Sequence, residues 1–346
     1  MVGRTARGVT PIDPVPPPRS ATDTHDFAPI VRILGRGPGR SRSLTRAEAR
    51  FALGEILAGR VEREQVGALL MLLRYRGEAV EEMVGLIEAA RDHSDLPWRF
   101  ARTVDLDWPS YADGRTRGLP WYVLAALLLA KSGRLVLMHG PISGPGRQPL
   151  IEAMTVLGIK PARSPHEAEA ALDTTGFAFM PLEVVSPAMA NLLALRGVLG
   201  LRSPMNTVGR LLDPAGAAGS IDGVFHPAYI ALHLGAAAML GRRVAVLKGG
   251  GGEAEWTGMK SLLVTTRDGE QLWPAIDGAG KPESARAADL VDVWHGRRRD
   301  PAGEAAVIAT AAVALRAAGR CEDPLTLLAE ARQLWQQRHE RHFRDR

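Results

Sequence analysis

The sequence predicts an α + α/β fold, in which a small helical domain precedes a larger α/β domain with a central, mainly parallel sheet. Two patterns carry this prediction. Apolar residues recur at helical spacing in three segments between residues 30 and 94, and from 103 to 250 short apolar runs alternate with helical segments. A chain of 346 residues, of which 46% are hydrophobic, is also long enough for two domains.

Residues 1–27 are predicted to form a disordered tail, because they contain five prolines and no hydrophobic periodicity. A short helix follows over 30–35. Arg36, Arg40 and Arg42 then lie on a glycine-rich loop. This cluster has the charge to hold a phosphate backbone, and the alternative is a solvated basic loop.

Three longer helices are predicted next. The first begins at Thr45, where Glu48 three residues later completes the capping-box pattern, and the others cover 62–77 and 79–93. Short amphipathic helices cannot bury their apolar faces singly. These segments are therefore expected to pack together as a helical domain over 28–97.

The α/β domain is predicted from the order of its elements. The expected strands cover 103–106, 134–139 and 243–247, and the expected helices cover 119–132, 149–157, 186–199, 226–240, 301–318 and 323–338. Buried strands that alternate with helices are typical of a parallel sheet. The stretch 215–223 is predicted to be a Gly/Ala linker, and a strand pair is expected around the turn at Asp268 and Gly269.

Three predicted strands run directly into polar loops that are rich in glycine or proline. The pairs of strand and loop are TVDL with DWPSYADGRTR, RLVLMH with GPISGPGR, and RVAVL with KGGGGEAEW. The carboxyl ends of parallel strands meet at one edge of a sheet, and glycine lets backbone amides approach an anion closely. The three loops together predict one anion or phosphate site at that edge. The alternative for any single loop is an ordinary turn between strand and helix.

The charge of the chain indicates an anionic partner. The net charge is +5, the isoelectric point is near 9.7, and only five of the 43 basic residues are lysine. The planar fork of arginine suits phosphate groups, although genome base composition also produces arginine in place of lysine.

We expect a cytoplasmic protein without a membrane partner. Cys321 is the only cysteine, which excludes internal disulfides and fits a reducing compartment. The sequence contains no apolar run of about 18 residues, the length of a membrane-spanning helix. Residues 1–20 lack an apolar core of signal-peptide length.

Four segments together resemble one known family. One segment resembles the helical domain of anthranilate phosphoribosyltransferases: LTRAEARFALGEILAGRVEREQVGALLMLLRYRGEAVEEMVGLIEAAR. A second segment resembles the family's H-G-N-R loop and the helix that follows it: HGPISGPGRQPLIEAMTVLGI. A third segment resembles the family's L-G-x-R-T-x-F-N-x-L-G-P-L motif: LGLRSPMNTVGRLLDP. The fourth resembles the strand that leads to the family's metal-binding acids: GVFHPAYIALHLGAAAMLGRRVAVLKGGGGE. The order and spacing of these segments carry the resemblance, which covers 30–331.

The resemblance implies a fold of the nucleoside phosphorylase and phosphoribosyltransferase type, and a homodimer that forms through the helical domain. The implied helical domain comprises 28–97 and 186–216. The implied α/β domain comprises 98–185 and 217–338, and 339–346 is left as a basic tail.

The resemblance also places candidate phosphate-binding residues. In the family a G-T-G-G-D loop holds the diphosphate of phosphoribosyl pyrophosphate, and WPSYADG stands in its place here. Pro109 has no N–H to donate and Tyr111 blocks close approach, while the asparagine of H-G-N is replaced by Pro141. The remaining candidates are Ser110, Asp113, Gly114, Arg115, His139 and Gly140. For His139 the alternative is a packed, hydrogen-bonded side chain.

The metal and acceptor positions are only partly kept. The family's Asp-Glu pair that holds Mg²⁺ corresponds to Ala254 and Glu255, with Glu253 beside them, so the metal candidates are Glu253 and Glu255. Arg202 and Asn206 match the family's acceptor pocket, although Arg202 has the alternative of bridging a helix pair. Phosphoribosyl transfer depends on Mg²⁺ and on aligned donors that neutralise the diphosphate. We therefore expect anthranilate phosphoribosyltransferase activity to be lost, and no catalytic residue is assigned.

Within the family, the patterns P-S-Y-x-x-G-R, H-G without asparagine, and L-R-S-P resemble the YbiB branch. This resemblance implies sequence-independent binding of nucleic acid, single-stranded DNA or RNA, without evident synthase chemistry. The candidate contacts to the phosphate backbone are Arg36, Arg40, Arg42, Arg196, Arg202 and Arg210. The alternative is a Mg²⁺-dependent glycosyl or phosphoribosyl transferase that uses phosphoribosyl pyrophosphate and an unidentified acceptor.

Overall fold

The computed structural model describes residues 26–37, 39–94, 100–112, 118–144, 146–320 and 322–339. Its N-terminal part is a helical bundle of α1 (Ala28–Gly35), α2 (Arg46–Leu57), α3 (Arg63–Arg76) and α4 (Val80–Asp92). Helix α2 packs along α4, and α1 packs on α3. The predicted apolar stripes face one another, and Leu53, Leu70 and Ile87 are fully buried between the helices.

Two glutamates secure the starts of helices in this bundle. Thr45 Oγ1 accepts from the N–H of Glu48 at 3.2 Å, and Glu48 Oε2 accepts from the N–H of Thr45 at 2.8 Å, which confirms the predicted capping box. Glu82 is buried at the start of α4, where its Oε2 accepts from the Ala79 N–H at 2.7 Å and its Oε1 from the Leu44 N–H at 2.6 Å. Glu82 therefore ties α4 to the segment before α2.

The rest of the chain alternates strands and helices. The strands are β1 (Leu106–Pro109), β2 (Val136–Gly140), β3 (Phe177–Pro181), β4 (Gly219–Val224), β5 (Val244–Lys248), β6 (Leu262–Thr266) and β7 (Gly269–Trp273). The helices are α5 (Trp121–Lys131), α6 (Gln148–Val156), α7 (Pro165–Thr175), α8 (Leu182–Val185), α9 (Pro187–Ala194), α10 (Arg196–Leu199), α11 (Met205–Arg210), α12 (Ala228–Met239), α13 (Ala287–Trp294), α14 (Pro301–Ala317) and α15 (Pro324–Gln336).

The strands form one sheet in the order β3-β2-β1-β4-β5-β6-β7. The neighbouring strands β3, β2, β1, β4 and β5 pair in parallel. Strand β6 pairs antiparallel with β5, and β7 pairs antiparallel with β6. This confirms the prediction of a helical part followed by an α/β part with a mainly parallel sheet.

Apolar side chains cover both faces of the sheet. On one face Trp108 and Trp273 pack with buried residues of α5 and α14. On the other face Leu137, Ala178 and Met180 join the core of the helical bundle. Burial on both faces explains why β2 and β3 are almost continuously apolar.

The linker predicted over 215–223 is wrong, because most of it forms β4, a central strand. Small residues are needed there: a Cβ added at Gly219 would lie 2.0 Å from the backbone oxygen of Ala317, and one at Gly223 would lie 2.2 Å from the carbonyl carbon of Glu253. A strand that other backbones approach this closely contains glycine, so its composition resembles that of a loop.

Further differences from the predictions concern the first strand and two helical segments. The first strand begins at Leu106 rather than at 103, the helix predicted over 186–199 divides into α9 and α10, and α13 has no predicted counterpart. Ser186 caps the start of α9, because its side chain accepts from the Met189 N–H at 3.3 Å.

Most of the predicted tails, 1–27 and 339–346, lies outside the described residues. The predicted domain boundaries stay predictions. Within the described ranges, no helix combines the length and the apolar character that crossing a bilayer requires.

Candidate site at the carboxyl edge of the sheet

The loops after β1, β2 and β5 meet at one edge of the sheet. Ser110, directly after β1, donates through Oγ to Glu253 Oε1 at 3.0 Å. A Cβ added at Gly140, the last residue of β2, would lie 2.0 Å from the Ser110 carbonyl oxygen. The structure therefore brings together the three loops that the sequence singled out.

A buried ion pair joins the loops at this edge. Glu253 Oε1 accepts from Arg147 Nη2 at 3.0 Å and from the N–H of Ala112 at 2.9 Å. Arg147 also donates to the carbonyl oxygens of Ser110 at 2.7 Å and of Ala112 at 2.6 Å. Arg147 and Glu253 are both buried, so the first loop is fastened to the third by charged groups that water does not reach.

The glycines after β5 pack the loop on itself. The N–H of Gly249 donates to the Val224 oxygen at 3.1 Å, that of Gly250 to the Glu255 oxygen at 3.0 Å, and that of Gly252 to the Gly249 oxygen at 3.2 Å. These amides are the groups expected to hold an anion, and in this arrangement they are already bonded to protein. The glycines thus serve close contact between backbones.

A line of buried polar side chains runs beneath the first loop. Tyr111 Oη lies 2.9 Å from His139 Nδ1, and His139 Nε2 lies 3.1 Å from Asp107 Oδ1, with all three side chains fully buried. The Tyr111 ring also fills the space beside α11, where a Cβ added at Gly209 would lie 2.5 Å from it. His139 is therefore a packed, hydrogen-bonded residue in this structure.

The charge of Asp107 is stabilised inside the protein. Burial opposes its ionisation, but His139 and Arg242 together hold the pKa of Asp107 below its ordinary value. Burial raises the pKa of Tyr111 well above its ordinary value, and the charge of Asp107 raises it further. The phenol therefore stays neutral at pH 7 and keeps its hydrogen bond with His139.

The acceptor-pocket candidates are only partly accessible. Asn206 is buried, whereas Arg202 is half-buried. Arg210, a candidate nucleic-acid contact, is also buried and donates to the Gly252 oxygen at 3.2 Å and to the Asn206 oxygen at 3.2 Å. The prediction for Arg210 as a surface contact therefore needs correction, because this side chain ties α11 to the loop after β5.

The other nucleic-acid candidates lie nearer the surface. Arg36, Arg40 and Arg42 are exposed, and Arg196 is half-buried. Arg42 donates from both terminal nitrogens to the Glu48 carboxylate at 2.7 Å, which lowers the pKa of Glu48 to about 2. The phosphate candidates Asp113, Gly114 and Arg115 lie outside the described residues.

The two metal candidates do not fit a Mg²⁺ ion in this arrangement. Glu253 is 1% exposed and its partner Arg147 opposes a cation, while Glu255 Oε2 accepts from the Tyr122 N–H at 3.0 Å. Glu253 Oε2 is buried and has no hydrogen-bond partner among the described residues, but Mg²⁺ keeps several waters that such a buried carboxylate excludes. Within the described ranges, no group of three or more His, Cys, Asp or Glu side chains is placed to hold a metal.

Arg147 is the residue of this edge that the sequence predictions missed. It is the last residue of the second loop, GPISGPGR, and stands directly before α6. An arginine at the end of a glycine-rich loop that follows a buried strand is the signal that points to it. The sequence does not show that its partner lies 106 positions further along the chain.

Two protein-family models match the chain. The helical bundle domain of a glycosyl transferase family matches residues 28–94, and the a/b domain of a glycosyl transferase family matches residues 123–338, which is more than half of the chain. The chain belongs to this glycosyl transferase family. The order of a helical bundle and then a parallel sheet is thus that of the family.

Members of the glycosyl transferase family resemble the chain over most of its length. YbiB of Escherichia coli K12 is 31% identical over 270 residues, which are 76% of this chain and 84% of that protein. The anthranilate phosphoribosyltransferase of Methylocella silvestris is 32% identical over 318 residues, which are 85% of this chain and 86% of that protein.

Solved structures of the family share the fold. The crystal structure of anthranilate phosphoribosyltransferase from Thermus thermophilus matches with a TM-score of 0.75 and 26% identity, over 88% of this chain and 94% of that one. The enzyme from Saccharomyces cerevisiae in complex with PRPP and Mg matches with a TM-score of 0.75 and 17% identity, over 90% and 94% of the two chains, and shows the fold alone. The predicted phosphoribosyltransferase-like fold is confirmed.

Proposed function

We propose that this member of the glycosyl transferase family binds nucleic acid through its helical bundle, independently of sequence, and has lost transfer from phosphoribosyl pyrophosphate. One contrast carries the proposal. At the carboxyl edge of the sheet, the described loops are bonded to one another, whereas arginines on the bundle are open to solvent.

The hydrogen bonds among the loops at the sheet edge support the loss of transfer. Ser110, Gly249 and Glu253 make hydrogen bonds to protein where a diphosphate and its metal would need them. Tyr111 occupies the space beside α11. Losing a donor aligned with the transition state typically costs on the order of 3 kcal/mol, and several such losses lower a rate by many powers of ten.

The open surface supports binding of nucleic acid. Five exposed arginines, which we call the arginine surface, lie at the ends of α1 and α3 and on the loop between α1 and α2: Arg32, Arg36, Arg40, Arg74 and Arg76. A Cβ added at Gly35 would lie 3.4 Å from Leu72 Cδ1, so the end of α1 touches α3. Arg36 and Arg40 form no ion pair with any carboxylate that the structure describes. Clustered, solvated arginines attract a phosphate backbone and release its counterions.

Fluorescence anisotropy with a labelled single-stranded oligonucleotide of about 20 nucleotides tests the binding. We expect binding at about 50 mM salt that weakens steeply as the salt concentration rises, because the contacts are mainly electrostatic. The absence of binding at low salt, or binding that does not respond to salt, would refute the proposal.

The alternative is a transferase with an unidentified acceptor, and the 32% identity to an anthranilate phosphoribosyltransferase favours it. Catalysis would then require the sheet edge to open, with Ser110, Asp113 and Arg115 on the phosphates and Glu253 and Glu255 on Mg²⁺. Thermal unfolding with and without phosphoribosyl pyrophosphate and Mg²⁺ separates the two functions. The main proposal expects no shift, and a shift that Glu255→Gln abolishes would support the transferase.

We also propose that two copies pair through the helical part. Val198 in α10 and Leu201 just after it are 83% and 50% exposed, and Leu199 of α10 packs near α3 at Gly67. Contact with a second copy would bury these two exposed side chains. Light scattering coupled to gel filtration is expected to give the mass of a dimer, and the mass of a monomer for Val198→Glu. A monomeric wild type would contradict this proposal.

A further inference from the structure

Tyr75 lies open to solvent in the last turn of α3. Of the large hydrophobic side chains that the structure describes, it is the most exposed, at 91%. Leu70 and Leu73 on the same helix face the core. Tyr75 lies two positions after Leu73, a rotation of about 200°, so its ring points away from the bundle. Packing against the residues that the structure describes therefore does not explain this aromatic residue.

Two arginines flank Tyr75 along the helix. Arg74 and Arg76 are its neighbours in the sequence and are both exposed. Arg76 Nη1 donates to Ser41 Oγ, which brings the loop with Arg36 and Arg40 beside the end of α3. Tyr75 thus stands between two members of the arginine surface.

The basic region continues from α3 towards α12. Burial raises the pKa of the Tyr229 hydroxyl and Glu78 raises it further, whereas Arg74 and Arg202 lower it. Arg74 and Arg202 thus act electrostatically on the same hydroxyl, together with the carboxylate of Glu78.

We propose that Tyr75 is a stacking platform for an unpaired base, and that the arginine surface consequently prefers single-stranded to double-stranded nucleic acid. An aromatic ring between phosphate-binding arginines is the arrangement that binds single strands without reading their sequence. The bases of a duplex are stacked on one another and offer no free face to a ring at a convex helix end. This inference rests on the proposed nucleic-acid-binding function.

Affinities of the full-length protein for a 20-nucleotide single strand and for the matching duplex test the inference. Tyr75→Ala is expected to weaken binding to the single strand by roughly 5- to 100-fold and to leave duplex binding within about twofold. Its salt dependence should stay that of the wild type, since the ring carries no charge. Tyr75→Trp should restore the affinity, and Phe51→Ala, at a 50% exposed aromatic on α2, is the matched control.

A strand containing 2-aminopurine reports stacking directly. We expect wild type and Tyr75→Trp to quench its emission and Tyr75→Ala to quench it less. If the wild type binds but Tyr75→Ala binds and quenches equally, the inference fails and the proposed function stands. If the wild type binds neither nucleic acid at low salt, the proposed function fails first. A change of molar mass in Tyr75→Ala would place Tyr75 in an interface between copies and would also overturn the inference.

Discussion

The carboxyl edge of the sheet and the arginine surface of the bundle both depend on arginine, yet the same side chain has opposite roles in them. Arg147 is buried and bonded to Glu253 and to two backbone carbonyls. Arg36 and Arg40 are exposed to solvent. An arginine count therefore does not locate a phosphate site. Burial and pairing decide whether the charge is used within the fold or is available to a partner.

The two regions also differ in how strongly their charges interact with the surroundings. At the sheet edge little water separates Arg147 from Glu253, so removal of either partner leaves a buried charge. On the bundle, water and salt screen the arginines over about 10 Å, so each one adds little to stability. Variants of the buried charges should consequently lower the stability of the fold. Variants of the exposed arginines should change ligand binding and leave the stability unchanged.

The largest effect is expected for Arg147→Met. It leaves the carboxylate of Glu253 buried without its counter-charge, which should lower the free energy of unfolding by about 3 to 5 kcal/mol. Urea unfolding followed by circular dichroism measures the loss. The double variant Arg147→Met, Glu253→Gln should lose less than the two single variants together.

Arg102→Met is the matched control for that change. Its ion pair with Asp173 is largely exposed, with 60% and 58% of the two side chains accessible, so we expect a change within about 0.5 kcal/mol. Equal losses of unfolding free energy in Arg147→Met and Arg102→Met would show that no buried ion pair joins the loops at the sheet edge.

A smaller loss is expected for Gly223→Ala. The added Cβ would lie 2.2 Å from the Glu253 carbonyl carbon and 2.3 Å from the Ala254 nitrogen, and this overpacking should cost about 1 to 3 kcal/mol. Gly197→Ala in α10 is the control, since nothing lies within 4 Å of its Cβ position. The control should be neutral or slightly stabilising. Equal unfolding midpoints for the two variants would contradict the close contact between β4 and the loop after β5.

The double variant Arg36→Gln, Arg40→Gln should keep its stability and lose affinity. Removing two phosphate contacts is expected to lower the salt slope for a single strand by about 1.4 and the affinity by roughly tenfold. Anisotropy titrations at several salt concentrations measure both quantities. Arg299→Gln, at an exposed arginine before α14, is the control. An unchanged salt dependence of the affinity would show that Arg36 and Arg40 do not contact the phosphate backbone, and would contradict binding at the arginine surface.

The smallest effect concerns the pair of Arg42 and Glu48. The hydrogen bonds from Arg42 hold the pKa of Glu48 at about 2, below its value in an unfolded chain. This interaction stabilises the fold above the unfolded pKa and is lost as the pH falls towards 2. Arg42→Gln should raise the Glu48 pKa, which an NMR titration of the carboxyl carbon measures. An unchanged pKa would show that the pair does not persist in solution.

Local patterns predicted the helical bundle well. The capping box at Thr45 and the apolar stripes of α2 to α4 depend on residues that are neighbours in the chain, so their signal is complete within each segment. Strand β4 had no such signal, because its glycines are required by Ala317 and Glu253, which are distant in the sequence. The family resemblance added the prediction that 186–216 completes the helical domain.

The sequence by itself determined the fold class, the alternation of strands and helices and the three loops that meet at one edge, because these follow from hydrophobic period and from parallel strand direction. Only the tertiary structure decided that Arg147 pairs with Glu253, that the loop amides bond to protein and that Tyr75 is open to solvent. Burial and pairing arise from contacts between distant segments. The physical reason is that the same residue types bind a ligand when solvent reaches them and hold the fold together when it does not.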